Sequence, residues 1–140
     1  MSLDVEFNAP GYRFGRLFAV LERVQTLANP GVNSTIVDRF YGAASTRPGT
    51  VFPQLLRLNQ AHLSKPKLTD KQRDWYRKQI GEIIDGLSTE FPSTLDLSAQ
   101  GQFALGYYHQ KQSFFVKRSS EREADLQDSQ AVTQEEGAQA

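Results

Sequence analysis

The chain has no cysteine, so disulfides, thiolate metal sites and cysteine nucleophiles are excluded. It holds only two histidines, His62 and His109, and neither has His, Asp or Glu three or four residues further on to complete a helical chelate. A metal centre is not expected. No apolar run approaches the roughly 18 to 20 residues that span a bilayer, and the opening MSLDVEFNAP lacks the basic and apolar regions of a signal peptide. A soluble, cytoplasmic protein without membrane contact is the expectation. No segment alternates apolar and polar residues as a half-buried strand does, and no GxSxG, P-loop or GxGxxG is present. Carboxylate pairs such as Glu82 and Asp85 fall on the polar side of an amphipathic segment, an ordinary solvated face. The expectation is therefore a protein that is not an enzyme and carries no cofactor.

What remains is apolar residues at helical spacing. After Pro10, the residues Phe14, Leu17, Phe18, Leu21, Val24 and Ala28 mark one face of a first helix, which Asn29-Pro30-Gly31 ends. Asn33 or Ser34 can cap a second, with Ile36, Phe40 and Ala43/Ala44 inward, broken at Thr46-Arg47-Pro48-Gly49. Thr50 is the expected cap of a third, with Pro53 in its first turn and Phe52, Leu55, Leu56, Asn59 and Leu63 inward. Thr69 and Gln72 have capping-box spacing for a fourth, which presents Tyr76, Ile80, Ile83, Ile84 and Leu87. Asp96 or Ser98 caps a fifth, running through Gly101, Phe103, Gly106, Tyr107, Gln110 and Phe114, and each of its glycines implies a close neighbour. The fold class is all-α: a compact bundle of about five helices over residues 1–118, a single domain, followed by a flexible or helical acidic tail over 119–140.

The formal net charge of zero hides an asymmetry. Residues 1–118 carry 15 Lys/Arg against 10 acids, whereas 119–140 carry one Arg against six. Helical phase places Arg16 and Arg23 opposite the apolar face of the first helix, about 10 Å apart, beside small Gly15 and Ala19. Such a ridge of guanidinium groups over a low surface suits phosphates. Lys71 and Lys78 lie likewise on the fourth helix, with Lys65 and Lys67 before it and Arg73 and Arg77 on its flanks. Lys117 and Arg118 close the fifth helix. Any nucleic-acid contact through these residues is expected to be sequence-independent and salt-sensitive. For His109 the expected role is a half-buried structural hydrogen bonder, and Tyr108 and Lys111 face a partner or nucleic acid.

Three blocks, YRFGRLFAVLERVQ (12–25), STIVDRFYGAASTRPGTVFPQLLRLNQAHLSK (34–65) and QGQFALGYYHQKQSFF (100–115), together resemble the C-terminal helical region of the large subunit of type I-C CRISPR Cascade. The likeness is weaker over 66–92 and does not extend to the acidic tail. In that family the same region is also made separately, by internal translation, as the small subunit of the surveillance complex. A chain that begins with Met shortly before the first block resembles that product, as an isolated domain of the large subunit also would. The resemblance implies a non-catalytic helical subunit along the inner belly of the complex. Its implied partners are the Cascade backbone subunits, the large subunit, other copies of itself and the guide RNA–target DNA R-loop. Contact with the displaced non-target strand is the implied task, with cleavage left to a recruited helicase-nuclease. A bracing module without nucleic-acid contact is the alternative. Geometry and resemblance together put Arg16, Arg23, Lys71 and Lys78 first as nucleic-acid-binding candidates, then Arg39, Lys65, Lys67, Arg77, Lys111, Lys117 and Arg118. Where the family pattern often has Arg, this sequence has Lys111, a point charge in place of a fork.

Overall fold

The computed structural model describes residues 3–31, 34–87 and 91–115. All regular structure among them is helical: α1 (Pro10–Ala28), α2 (Ile36–Thr46), α3 (Pro48–Leu63), α4 (Asp70–Asp85) and α5 (97–115). The all-α expectation holds. None of these helices is long and apolar enough to cross a membrane. The acidic tail, with Lys117 and Arg118 before it, lies outside the described residues.

Local chemistry explains where the helices begin. Thr35, rather than Ser34, caps α2: its hydroxyl accepts from the Val37 N–H at 3.2 Å while Asp38 accepts from the Thr35 N–H at 3.1 Å. A cap at Ser34 would put Val37 where the reciprocal carboxylate is needed. Asn33, the other expected cap, lies outside the described residues. The expected Thr69–Gln72 box is present at α4, and Asp96 accepts from the Ala99 N–H at 2.8 Å to open α5. The third helix starts two residues earlier than its expected cap, Thr50. Pro48 is pre-set for a first helical position, so only Arg47 separates α2 from α3 and Pro53 falls inside the helix. The segment after residue 90 is a strap across that corner: the Gly49 N–H donates to the Pro92 carbonyl at 2.9 Å and the Leu95 N–H to the Thr46 carbonyl at 3.0 Å.

Helix α1 is the axle of the bundle, with every residue from Gly11 to Glu22 buried. Three small residues, Gly11, Gly15 and Ala19, recur at steps of four, and α5 runs along the channel they leave. A Cβ at Gly11 would strike the Ala99 carbonyl, one at Gly15 the Phe103 carbonyl and one at Gly106 the Tyr12 carbonyl. The two backbones therefore touch at three places. Gly101 departs from the expectation of a close neighbour, because among the described residues nothing lies within 4 Å of a Cβ placed there. Around this crossing Phe14, Phe18, Phe52 and Phe103 are fully buried. Edge contacts such as Phe18–Tyr41 at 5.6 Å and Tyr41–Phe103 at 5.3 Å tie α2 to α1 and α5.

Candidate nucleic-acid interface

The cations sort into three groups by what surrounds them. The first is at the amino end of α1. Arg16, expected on an open ridge, is 4% exposed, and its Nε donates to Gln110 Oε1 at 3.0 Å. The correction has a simple cause: the low surface beside it is the Gly-Gly-Ala channel, and a helix fills it. Arg13 is also buried, and its Nη2 donates to Asn8 Oδ1 at 2.8 Å. Neither arginine forms an ion pair among the described residues. Burial, reinforced by the Arg13 charge, pushes the Arg16 guanidinium below its ordinary range, with Tyr12, Glu82 and Asp4 acting in the opposite direction. Arg13 lies against Gly86, the C-cap of α4, where the negative end of a helix dipole offsets part of its charge.

The second group lines a groove where the carboxyl ends of α1 and α5 meet the amino end of α2. It has a volume of about 430 Å³ and brings together Arg23 and Lys111, two of the expected residues, with Glu22, Val37 and Phe115. Glu22 is buried and satisfied: the Tyr107 hydroxyl donates to its Oε1 at 2.8 Å, and the Lys111 ammonium lies 3.5 Å from the same oxygen. Lys111 also donates to the Tyr107 oxygen at 3.2 Å. Arg23 forms no ion pair among the described residues, and its Nε is shielded from solvent without a hydrogen-bond partner there. Phe115 remains half-exposed.

The third group is the α3–α4 turn. Half-buried Arg73 is its clasp: Nε donates to the Leu63 carbonyl at 2.6 Å, Nη2 to the Lys65 and Leu68 carbonyls at 3.3 Å each, and Nη1 pairs with Asp70. With its donors directed inward, Arg73 serves the turn, while Lys65, Lys67 and Lys71 stand exposed around it. Arg77 and Lys78 are exposed further along α4. Helical spacing puts exposed Asp74 between Lys71 and Lys78, and Glu82 one turn beyond, so the positive stripe is interrupted there. Arg39 is exposed on α2, its guanidinium carbon 5.5 Å from the Phe40 ring centre. Sequence reasoning passed over Arg47 and Arg57, both exposed. The signal was available for Arg57, which falls outside the apolar phase of α3.

The histidines are apart. His109 Nδ1 is 2.8 Å from the Tyr12 hydroxyl, which also accepts from the Asp4 N–H, and His62 is half-buried on α3. Burial and nearby Lys65 lower the His62 pKa. No group of three or more metal-ligating side chains occurs among the described residues.

The profile of a CRISPR-associated protein family, Cas_Csd1, matches residues 1–115. The chain belongs to this family. No curated protein matches it. The Cas_Csd1 match spans all three quoted blocks and also the 66–92 stretch, where the likeness read from sequence was weaker, so the clasped turn and α4 lie within the family region. Family membership makes the chain a CRISPR-associated protein, and a place in a CRISPR-associated complex follows from it.

Proposed function

We propose that this chain is a non-catalytic small subunit of a type I-C Cascade complex, braced along its inner belly. There it holds the displaced non-target strand of the R-loop through sequence-independent contacts to the backbone. The observation that carries the reading is the exposed trio Lys65, Lys67 and Lys71 on a turn fixed by Arg73, none of them in an ion pair among the described residues. Guide pairing supplies sequence specificity in such complexes, so a helical subunit needs only charge and shape. R-loop formation is a nearly balanced strand exchange, which a few phosphate contacts tip.

The test is the assembled complex carrying Lys65→Ala, Lys67→Ala, Lys71→Ala and Lys78→Ala together. Arg16 is left native because it is buried. R-loops should form with normal guide dependence but dissociate faster, with the deficit growing as salt is raised. Unchanged R-loop lifetime at every salt concentration would remove the nucleic-acid role from these residues.

A second reading, bracing of neighbouring subunits, is favoured by the outer face of α5. Leu97, Gly101, Ala104, Leu105, Tyr108 and Gln112 share one side of that helix, exposed and without a formal charge. An uncharged helical face of this length is a contact surface for another protein. The two readings use opposite kinds of surface and are separable by mutation.

A further inference from the structure

The groove between α1, α2 and α5 combines features that the fold alone does not require. Among the described residues that line it, the one carboxylate, Glu22, is neutralised within the wall by Lys111 and capped by the Tyr107 hydroxyl. Arg23 therefore supplies the net charge of the groove. A phosphate pairs with a guanidinium through charge-assisted hydrogen bonds, so Arg23 is the groove's anion-binding group. Apolar Val37, Phe114 and the half-exposed Phe115 line the same groove, together with Thr26 and Thr35. An anion next to a flat apolar plate describes a nucleotide. The volume, about 430 Å³, is in the range of small-ligand sites.

We propose that this groove seats one nucleotide of a single strand, its phosphate on Arg23 and its base on the Phe115 ring. The proposal rests on the nucleic-acid reading above and deepens it. The lysines of the α3–α4 turn attract backbone anywhere along a strand, whereas the groove fixes a register between strand and protein. A paired base keeps its faces within the duplex stack, so the seat selects unpaired nucleic acid. Because every base has a π-face, it does so without selecting sequence. Lys111, tied to Glu22 and Tyr107, keeps the wall rigid rather than binding the phosphate itself.

The experiment uses the full 140-residue chain, a labelled oligothymidylate and an abasic strand of equal length. Phe115→Ala should weaken oligothymidylate binding about 5- to 100-fold and leave abasic binding and the salt slope unchanged. Arg23→Ala should weaken binding to both strands and reduce the slope of log K against log salt by about 0.7, the value for one single-strand phosphate. Arg23→Lys should retain the slope while losing part of the affinity, since it keeps the charge and loses the fork. Phe115 is exposed enough to be truncated without unfolding the chain, and a thermal melt of each variant confirms this. Wild-type affinity in both Phe115→Ala and Arg23→Ala, with weakened binding in the fourfold Lys65, Lys67, Lys71 and Lys78 variant, overturns the groove and leaves the lysine reading standing. Equal loss on both strands in Phe115→Ala also overturns it, because the ring is then not a base platform. If the wild-type chain binds neither strand at low salt, the nucleic-acid reading fails and takes the groove with it.

Discussion

The Tyr107 hydroxyl donates to Glu22 Oε1 across 2.8 Å, joining α5 to α1 over 85 positions of sequence. The carboxylate is largely buried, so the bond secures a charge with little access to water. Tyr107→Phe should lower stability by about 1 to 3 kcal/mol at neutral pH, read from urea unfolding. The pH dependence has a definite sign. Burial, the bond to Glu22 and the Glu22 charge all raise the phenol above its ordinary pKa of 10.0, so the native state holds this proton more tightly than the unfolded chain. That contribution is complete below about pH 10 and declines as the pH rises beyond it. Tyr107→Phe should therefore show a shallower alkaline loss than wild type; parallel profiles would refute the assignment.

Two glycines should respond oppositely to the same substitution. At Gly15 a methyl group meets the backbone of Phe103 and Tyr107, so Gly15→Ala must force α1 and α5 apart and should cost more than the roughly 1 kcal/mol it gains in helix propensity. At Gly101 nothing among the described residues lies within 4 Å, so Gly101→Ala should stabilise the isolated chain by up to about 1 kcal/mol. Denaturant midpoints moving the same way in both variants would contradict the crossing.

Arg16 and Gln110 form a buried pair of unequal members. Arg16→Met removes a desolvated charge but leaves the buried Gln110 Oε1 without its donor, so stability should fall by no more than about 1 to 2 kcal/mol. Gln110→Leu leaves the guanidinium without its acceptor and should cost about 3 kcal/mol. The order of the two urea midpoints decides the matter. Strand affinity in Arg16→Met should equal that of wild type, since the group has almost no surface to offer.

The outer face of α5 gives a prediction about assembly. Leu105 and Tyr108 are exposed, so Leu105→Glu with Tyr108→Glu should shift the stability of the isolated chain by no more than about 0.5 kcal/mol. Incorporation into the complex should fall strongly, measured by co-purification with the other subunits. Full incorporation would show that this face braces nothing.

Much of the architecture was legible because helical period, caps and breakers agree with one another. The inward residues of α3 and α4 and the Thr69–Gln72 box follow from spacing alone. The errors share a cause. Periodicity gives one apolar face per helix, but α1 is enclosed on all sides, so its polar side is interior too and Arg16 is buried with it. The sign of this was present in Gly11, Gly15 and Ala19, whose four-residue spacing describes a channel for another helix as well as a low surface for phosphates. The convergence of Arg23 and Lys111 was not legible, since it depends on the angle at which α5 crosses α1. Gly101 shows the reverse difficulty: its spacing implied a neighbour, and none among the described residues supplies one.

The enclosure of α1 also sets a timetable. The helix that every other one packs around is made first, and the helix that fills its glycine channel is made last of those described. At about 5 to 20 residues per second, the interval between them is on the order of 4 to 20 s. Until then, a helix that the finished protein encloses has its channel open to whatever is nearby. A ribosome pausing between α4 and α5 should prolong that exposure and increase aggregation, while leaving the stability of the finished protein untouched.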